Sequence, residues 1–378
     1  MIVATLLTVA LATSAQTVGT RPDAAAVRDP GAATTGALNV AGDPGTNAGT
    51  DEQQAKTAFA AYSAWQNSLY VVLSDSARPR DWALASQLRF TGAVHAAPAL
   101  QQAPDELLDR AMRRAPDDFL VQWLVASDRA VGATGQSRPS PAEPLANLER
   151  LAPDNAAIWL LALDIAADRH DAAAIDDALM HMAESSRYDE PHHELLSAWL
   201  DVYDTQPPPP ASWASLTGSA RDLAGYVRLG MAQDMVMATV LPGYVALMSA
   251  CTLGAKTSGD WRRFAWCDDA AHVMATHATT LIARNIGFAL LRTMEGGELN
   301  ASHRAARRRL DWLRVNLMSE RIYGDAANRL PDLETRWRES ASEIAFHRGL
   351  LRTAGVSAEP PAGWKAPDYG QPVAVDPN

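Results

Sequence analysis

From residue 51 onward, apolar positions recur at helical spacing almost to the end of the chain. Phe59, Tyr62, Leu69 and Leu73 fall on one face of a predicted helix that Arg78-Pro79 breaks, and Pro104 opens a second helix through Leu107, Leu108 and Ala111. A pattern then repeats. Ala115-Pro116-Asp117-Asp118 leads into a helix containing Trp123-Leu124, Ala152-Pro153-Asp154-Asn155 into one containing Trp159-Leu160, and Glu190-Pro191-His192-His193 into one containing Trp199-Leu200. Proline needs no N–H at a helix start, and an Asp or Asn oxygen caps an N–H that lacks a partner. The three prolines lie 37 and 38 residues apart, a helix-pair period. Pro207 to Pro210 interrupt the helices with an extended connector. Beyond it the pattern predicts helices near 214–238, 243–252, 261–276, 278–294, 300–320 and 330–352, punctuated by Gly296-Gly297, Gly324 and Pro331.

The run Pro153-Asp154-Asn155 to Trp159, followed by Asp171, Ala178 and Leu179 on a second helix, resembles the tetratricopeptide repeat and its degenerate relatives over residues 104–204. The spacing exceeds that family's 34 residues, and the small residue expected four after the tryptophan is Leu163 in one unit and Tyr203 in the next. The resemblance implies stacked antiparallel helix pairs and a peptide-binding face. The expected fold class is therefore all-α, with a TPR-like α-solenoid at residues 51–206, an irregular helical array at 211–352 and a loosely ordered tail at 353–378, where five prolines follow Ser357. Abundant Ala and sparse β-branched residues agree with helices over strands.

Composition narrows location and partners. Residues 2–12 form an apolar run that then turns small and polar, the shape of a signal-peptide core and cleavage site, although no basic residue precedes Arg21. Residues 1–15 are read as a signal peptide and 16–50, which hold little to bury, as a linker. A periplasmic or secreted location follows, and in that compartment Cys251 and Cys267 are candidates for one disulfide. A net charge of -11 disfavours a nucleic-acid partner. Met235 to Leu253 lack charge over nineteen residues, but Pro242-Gly243 divides them, so two buried helices are expected rather than a membrane span.

The candidate chemistry is sparse. His192-His193-Glu194, with His181 and Glu184 one helix earlier, lacks the His-Glu-x-x-His spacing that turns two imidazoles toward one zinc ion. Asp268, Asp269, His272 and His277 form a second cluster, in which Asp268 and His272 can share a ligand at i, i+4 whereas His277 points elsewhere; Glu343 and His347 have the same spacing and are expected as a surface ion pair. Gly254 to Gly259 lacks the order of a phosphate loop. Glu339-Ser340 matches the catalytic pair of some lytic transglycosylases that carry a helical solenoid, but the Gly-Leu-Met-Gln-like stretch of that family is missing. No catalytic residue, metal or cofactor is expected. Arg304, Arg307 and Arg308, on a helix that also carries Arg309 and Arg314, form a candidate anion patch for an anionic envelope surface. The expected function is a non-catalytic scaffold in the cell envelope that holds a protein or peptide partner; the alternative is a cell-envelope hydrolase with a polar cleft near His181–Glu194.

Overall fold

A computed structural model describes residues 48–88, 103–130, 141–209, 224–238, 243–251, 261–317 and 332–366. The segments expected as signal peptide and, nearly all of it, linker lie outside these residues, as do the middle of the uncharged stretch and Gly254–Gly259. Among the described residues there are fifteen helices and no strands. In chain order they are α1 (Ala48–Ser74), α2 (Pro79–Gln87), α3 (Ala103–Arg114), α4 (Phe119–Ala130), α5 (Ala142–Leu151), α6 (Ala156–Asp168), α7 (Ala172–Glu184) and α8 (His192–Thr205). They continue as α9 (Ala224–Ala238), α10 (Tyr244–Ser249), α11 (Trp261–His277), α12 (Leu281–Met294), α13 (Ala301–Leu317), α14 (Leu333–Glu339) and α15 (Glu343–Thr353). No described helix is long and apolar enough to cross a membrane.

The first half is a stack of helix pairs. The pairs α2/α3, α4/α5 and α6/α7 each pack within themselves, and α2 meets α4, which meets α6. The starts are set by the residues the sequence singles out. Asp118 Oδ1 accepts from Val121 N at 3.2 Å, Asn155 accepts from Ala157 N at 3.2 Å, and Asp171 accepts from Ala174 N at 3.1 Å. Trp123 and Leu124 are buried on α4, Leu160 and Leu161 on α6, and Ala178 and Leu179 on α7. At α1 the buried stripe is Gln66, Leu69, Tyr70 and Leu73. Phe59 departs from the predicted face, its side chain being 71% exposed, because α1 is covered only along its second half.

The capping and the order of neighbours both change at α8. Pro191 is itself the N-cap of α8 and no side chain caps that helix. Helix α8 pairs with α9, yet the place beside α7 is taken by α11, which in turn packs along α12. The approach of α11 and α12 is close enough to require Gly287, where a Cβ would stand 2.4 Å from Ala275 N. Cys251 and Cys267 are bonded, with Sγ atoms 2.08 Å apart, and tie the end of α10 to α11.

The single helix predicted over 330–352 is two. Ser340 and Ser342 adopt extended backbone angles, and the Ser342 side chain caps α15 by accepting from Ala345 N at 3.1 Å. The tail expected to be loose is docked in its first part: Trp312 on α13 donates to Ser357 O at 2.8 Å, and Arg308 to Trp364 O at 2.8 Å.

Candidate functional site

A buried polar cluster is built around the connector between α7 and α8, residues 185–191. Its backbone is pinned to the start of α6, where Ala156 N donates to Arg187 O at 2.9 Å. Asn155, fully buried, donates from Nδ2 to Asp189 O at 2.8 Å and accepts from Asp189 N at 2.8 Å. Thr279 donates to Asp189 Oδ1 at 2.9 Å from the turn between α11 and α12. The connector therefore runs between the start of α6 and that turn, in an extended form that a continuing repeat would not need.

Held this way, Glu190 points into the core and is only 6% exposed. Its Oε1 accepts from the Tyr188 hydroxyl at 2.8 Å and from the Tyr244 hydroxyl of α10, and its Oε2 accepts from Thr280 Oγ1 at 3.0 Å. Burial raises the Glu190 carboxyl, against the lowering effect of these three hydroxyls, and the neighbouring Glu343 carboxylate adds to the rise. Burial and the Glu190 charge push the Tyr188 and Tyr244 phenols well above their ordinary value, so both stay neutral donors.

Glu343 is the second carboxylate. It accepts from Leu281 N at 2.9 Å, at the start of α12, and faces His347 Nε2 at 3.5 Å. The pair expected on the surface is largely buried, with side chains 14% and 13% exposed. Burial alone would raise Glu343; the His347 hydrogen bond, the His192 and His347 charges and the Leu281 N–H outweigh it and hold the carboxyl below the usual range. His192 is lowered, first by burial, while Glu343 pulls the other way. Its Nε2 lies 3.1 Å from Gln233 Nε2 on α9, and its Nδ1 is buried without a hydrogen bond. His193 stacks on Trp337 of α14 at 4.8 Å, and its Nε2 donates to Trp337 O at 2.7 Å. Arg338 of α14 reaches Asp201 at 3.1 Å and Asp204 at 2.7 Å on α8.

The sequence-selected residues thus divide. His192, Glu343 and His347 come together, although 151 positions separate the first from the second (343 − 192). His181 does not join them: it stacks on Trp159 at 4.0 Å and faces Asp177 at 3.8 Å. Glu194 pairs with Arg80 at 2.6 Å. His272 lies 5.5 Å from His303, whose Nδ1 is 2.5 Å from Glu295, with Asp268 close enough to feel both charges. No group of three His, Cys, Asp or Glu among the described residues is arranged to hold a metal ion. Glu339 and Ser340 line a cleft of about 200 Å³ with Arg336, Phe346 and Arg352. Of the candidate anion patch, Arg307 pairs with Asp311 at 3.0 Å, Arg304 donates to Leu299 O, and Arg308 donates to Pro361 O and Trp364 O.

Sequence reasoning missed Tyr188, Glu190, Tyr244, Thr280 and Asn155 as members of one cluster. The one available signal is at Pro191: the first two proline starts are followed by Asp or Asn, and the third is not. Chemically the cluster is a saturated acceptor set, in which Glu190 engages three hydroxyl donors and Glu343 a backbone N–H and an imidazole, joining α6, α8, α10, α12 and α15. No family model matches this chain, and neither a curated protein nor a solved structure is found to match it.

Proposed function

We propose that this chain is an exported helical-repeat protein, degenerate and tetratricopeptide-like over residues 104–204, that acts as a non-catalytic scaffold for a protein or peptide partner in the cell envelope. The observation that carries the reading is the stack of helix pairs from α2 to α7 continued by α11 and α12. At the start of α11, Trp261 is 73% and Phe264 39% exposed, a solvent-facing aromatic pair on a helix held by the Cys251–Cys267 bond. Exposed aromatic groups on a rigid element suit protein contact, since they bury large area at little entropy cost. The bonded cysteines and the apolar run at residues 2–12 support export.

The test is capture from cross-linked envelope fractions with the full chain. A defined partner is expected with the native sequence and its loss with Trp261→Asp combined with Phe264→Asp. Equal capture by that variant, or turnover of envelope material by the purified chain, would overturn the reading in favour of another face or of a hydrolase. Mass spectrometry of the exported protein is expected to show a start near residue 16; an intact Met1 would remove the signal-peptide part.

A further inference from the structure

The chain's own tail lies on α13 as a peptide ligand would. Gly355, at a φ of +70°, turns the backbone out of α15, and Val356 packs against the core. From Ser357 to Trp364 the sequence is Ser-Ala-Glu-Pro-Pro-Ala-Gly-Trp, in which only Pro360 and Trp364 are half-buried and the rest is exposed. The segment is held by three of its carbonyls. Trp312 Nε1 donates to Ser357 O at 2.8 Å, Arg308 Nε donates to Trp364 O at 2.8 Å, and Arg308 Nη2 donates to Pro361 O. The Trp364 ring meets Trp312 edge to face at 5.2 Å. A turn from Pro361 O to Trp364 N, 3.1 Å, with Gly363 at a φ of +78°, sets the angle of that ring.

These parts match the physics by which proline-containing segments are bound. A proline offers no N–H, and Pro361 is held through its carbonyl, as Ser357 and Trp364 are through theirs; an indole N–H and a guanidinium fork supply the donors, and an aromatic face supplies the apolar contact. The strap can leave without opening the core, because its last core contact is Val356, outside the held segment. We propose that the Arg308–Trp312 face of α13 is a docking site for a Pro-Pro segment that turns into an aromatic residue, presented by a partner, and that residues 357–364 occupy it in cis as the competitor. The identity of the occupant rests on the scaffold reading; the geometry of the face does not.

A tethered occupant acts at millimolar effective concentration, so a free peptide sees only the fraction of molecules whose face is vacant. The experiment uses the full chain and a labelled peptide with the sequence of residues 356–366, read by fluorescence anisotropy. Trp364→Ala combined with Pro361→Gly, which loosens the tail, is expected to raise apparent peptide affinity at least about tenfold over the native chain. Adding Arg308→Met or Trp312→Phe, each of which keeps bulk but removes the donors, is expected to abolish that binding. Equal affinity for the native and loosened chains, or binding that survives both face substitutions, overturns the proposal. Hydrogen exchange on the native chain gives a second measure: amides of Ala358, Glu359, Ala362, Gly363 and Trp364 exchanging faster than those of α13 are required, and equal protection overturns it. A concentration-dependent dimer lost with Trp312→Phe would assign the face to a second copy's tail and overturn the partner. Loss of peptide binding with envelope capture retained sinks this inference alone; the reverse sinks the scaffold reading alone.

Discussion

The two halves of the chain are held by different kinds of contact. From α2 to α7 each helix packs on its neighbour in sequence, and the helices α4, α6 and α7 start on a capping side chain a few residues away. After Ser185 successive helices still pair, α8 with α9 and α11 with α12, but remote partners are added: α7 lies along α11, Thr280 reaches Glu190 across 90 positions, and His193 reaches Trp337 across 144. Local contacts close short loops at small entropy cost, whereas remote ones must be specified by donors and acceptors that fit only each other. A stack of helix pairs and a polar hub are the two results, and the connector 185–191 is where one meets the other.

Removing the hub is expected to separate the halves most sharply. Glu190→Leu leaves the Tyr188, Tyr244 and Thr280 hydroxyls in the core without their acceptor, at about 1–3 kcal/mol each. Stability should fall by on the order of 3–5 kcal/mol, with amides of α8, α10 and α12 losing exchange protection before those of α2 to α5. Uniform loss across both halves would show that they are one cooperative unit. Cys251→Ser with Cys267→Ser, which opens a loop of 16 residues, is expected to cost about 3 kcal/mol in denaturant melts. The loss should be confined to the second half.

Two caps make a paired test. Asp118→Ala should cost about 1 kcal/mol, as an N-cap does. Asn155→Ala removes the same kind of cap together with both bonds to Asp189 and should cost about 2–3 kcal/mol. Equal costs would mean that the Asp189 bonds contribute nothing.

Acid should act on the hub first. Because burial lowers His192, the unfolded chain takes up that proton before the folded one, and stability is lost as pH falls below about 6.5, the range of a free imidazole. Glu343, held low, contributes stability above the usual carboxylate range that is lost as pH falls through its depressed value. Glu190, held high, acts with the opposite sign and gains stability on protonation. Melting temperature from pH 7.5 to 5 should therefore fall more steeply in the native chain than in His192→Asn; parallel curves would remove His192 from the account. The smallest effect belongs to the array. His170 ends α6 at a φ of +54° with its side chain exposed, so His170→Gly should stabilise by about 0.5–1 kcal/mol, read as a small rise in melting temperature.

The candidate cluster was partly visible in the chain. Glu343 and His347 stand one turn apart, and His192 beside His193 draws notice in any scan for ligands. Tyr188, Tyr244 and Thr280 are single polar residues in unrelated segments, and no spacing rule links them because their common neighbour is defined only by packing. The arginines show the converse. Their run on α13 suggests an anion patch, but Arg307 is drawn to Asp311 by helical spacing and Arg308 to carbonyls of a tail more than fifty positions away.

What the sequence determined alone is what propensity, capping and periodicity decide within a few turns. These are the all-helical class, the starts at Asp118, Asn155 and Asp171, the pairing of successive helices through α7, and the pair of cysteines. Each depends on residues close enough in the chain to find one another cheaply. Only the tertiary structure decided which helix lies beside α7, that Glu190 would be buried among three hydroxyls, that residues 330–352 would divide at Ser340–Ser342, and that the tail would lie on α13. Those outcomes depend on burial and hydrogen-bond satisfaction between distant segments, quantities that exist only once the chain has packed.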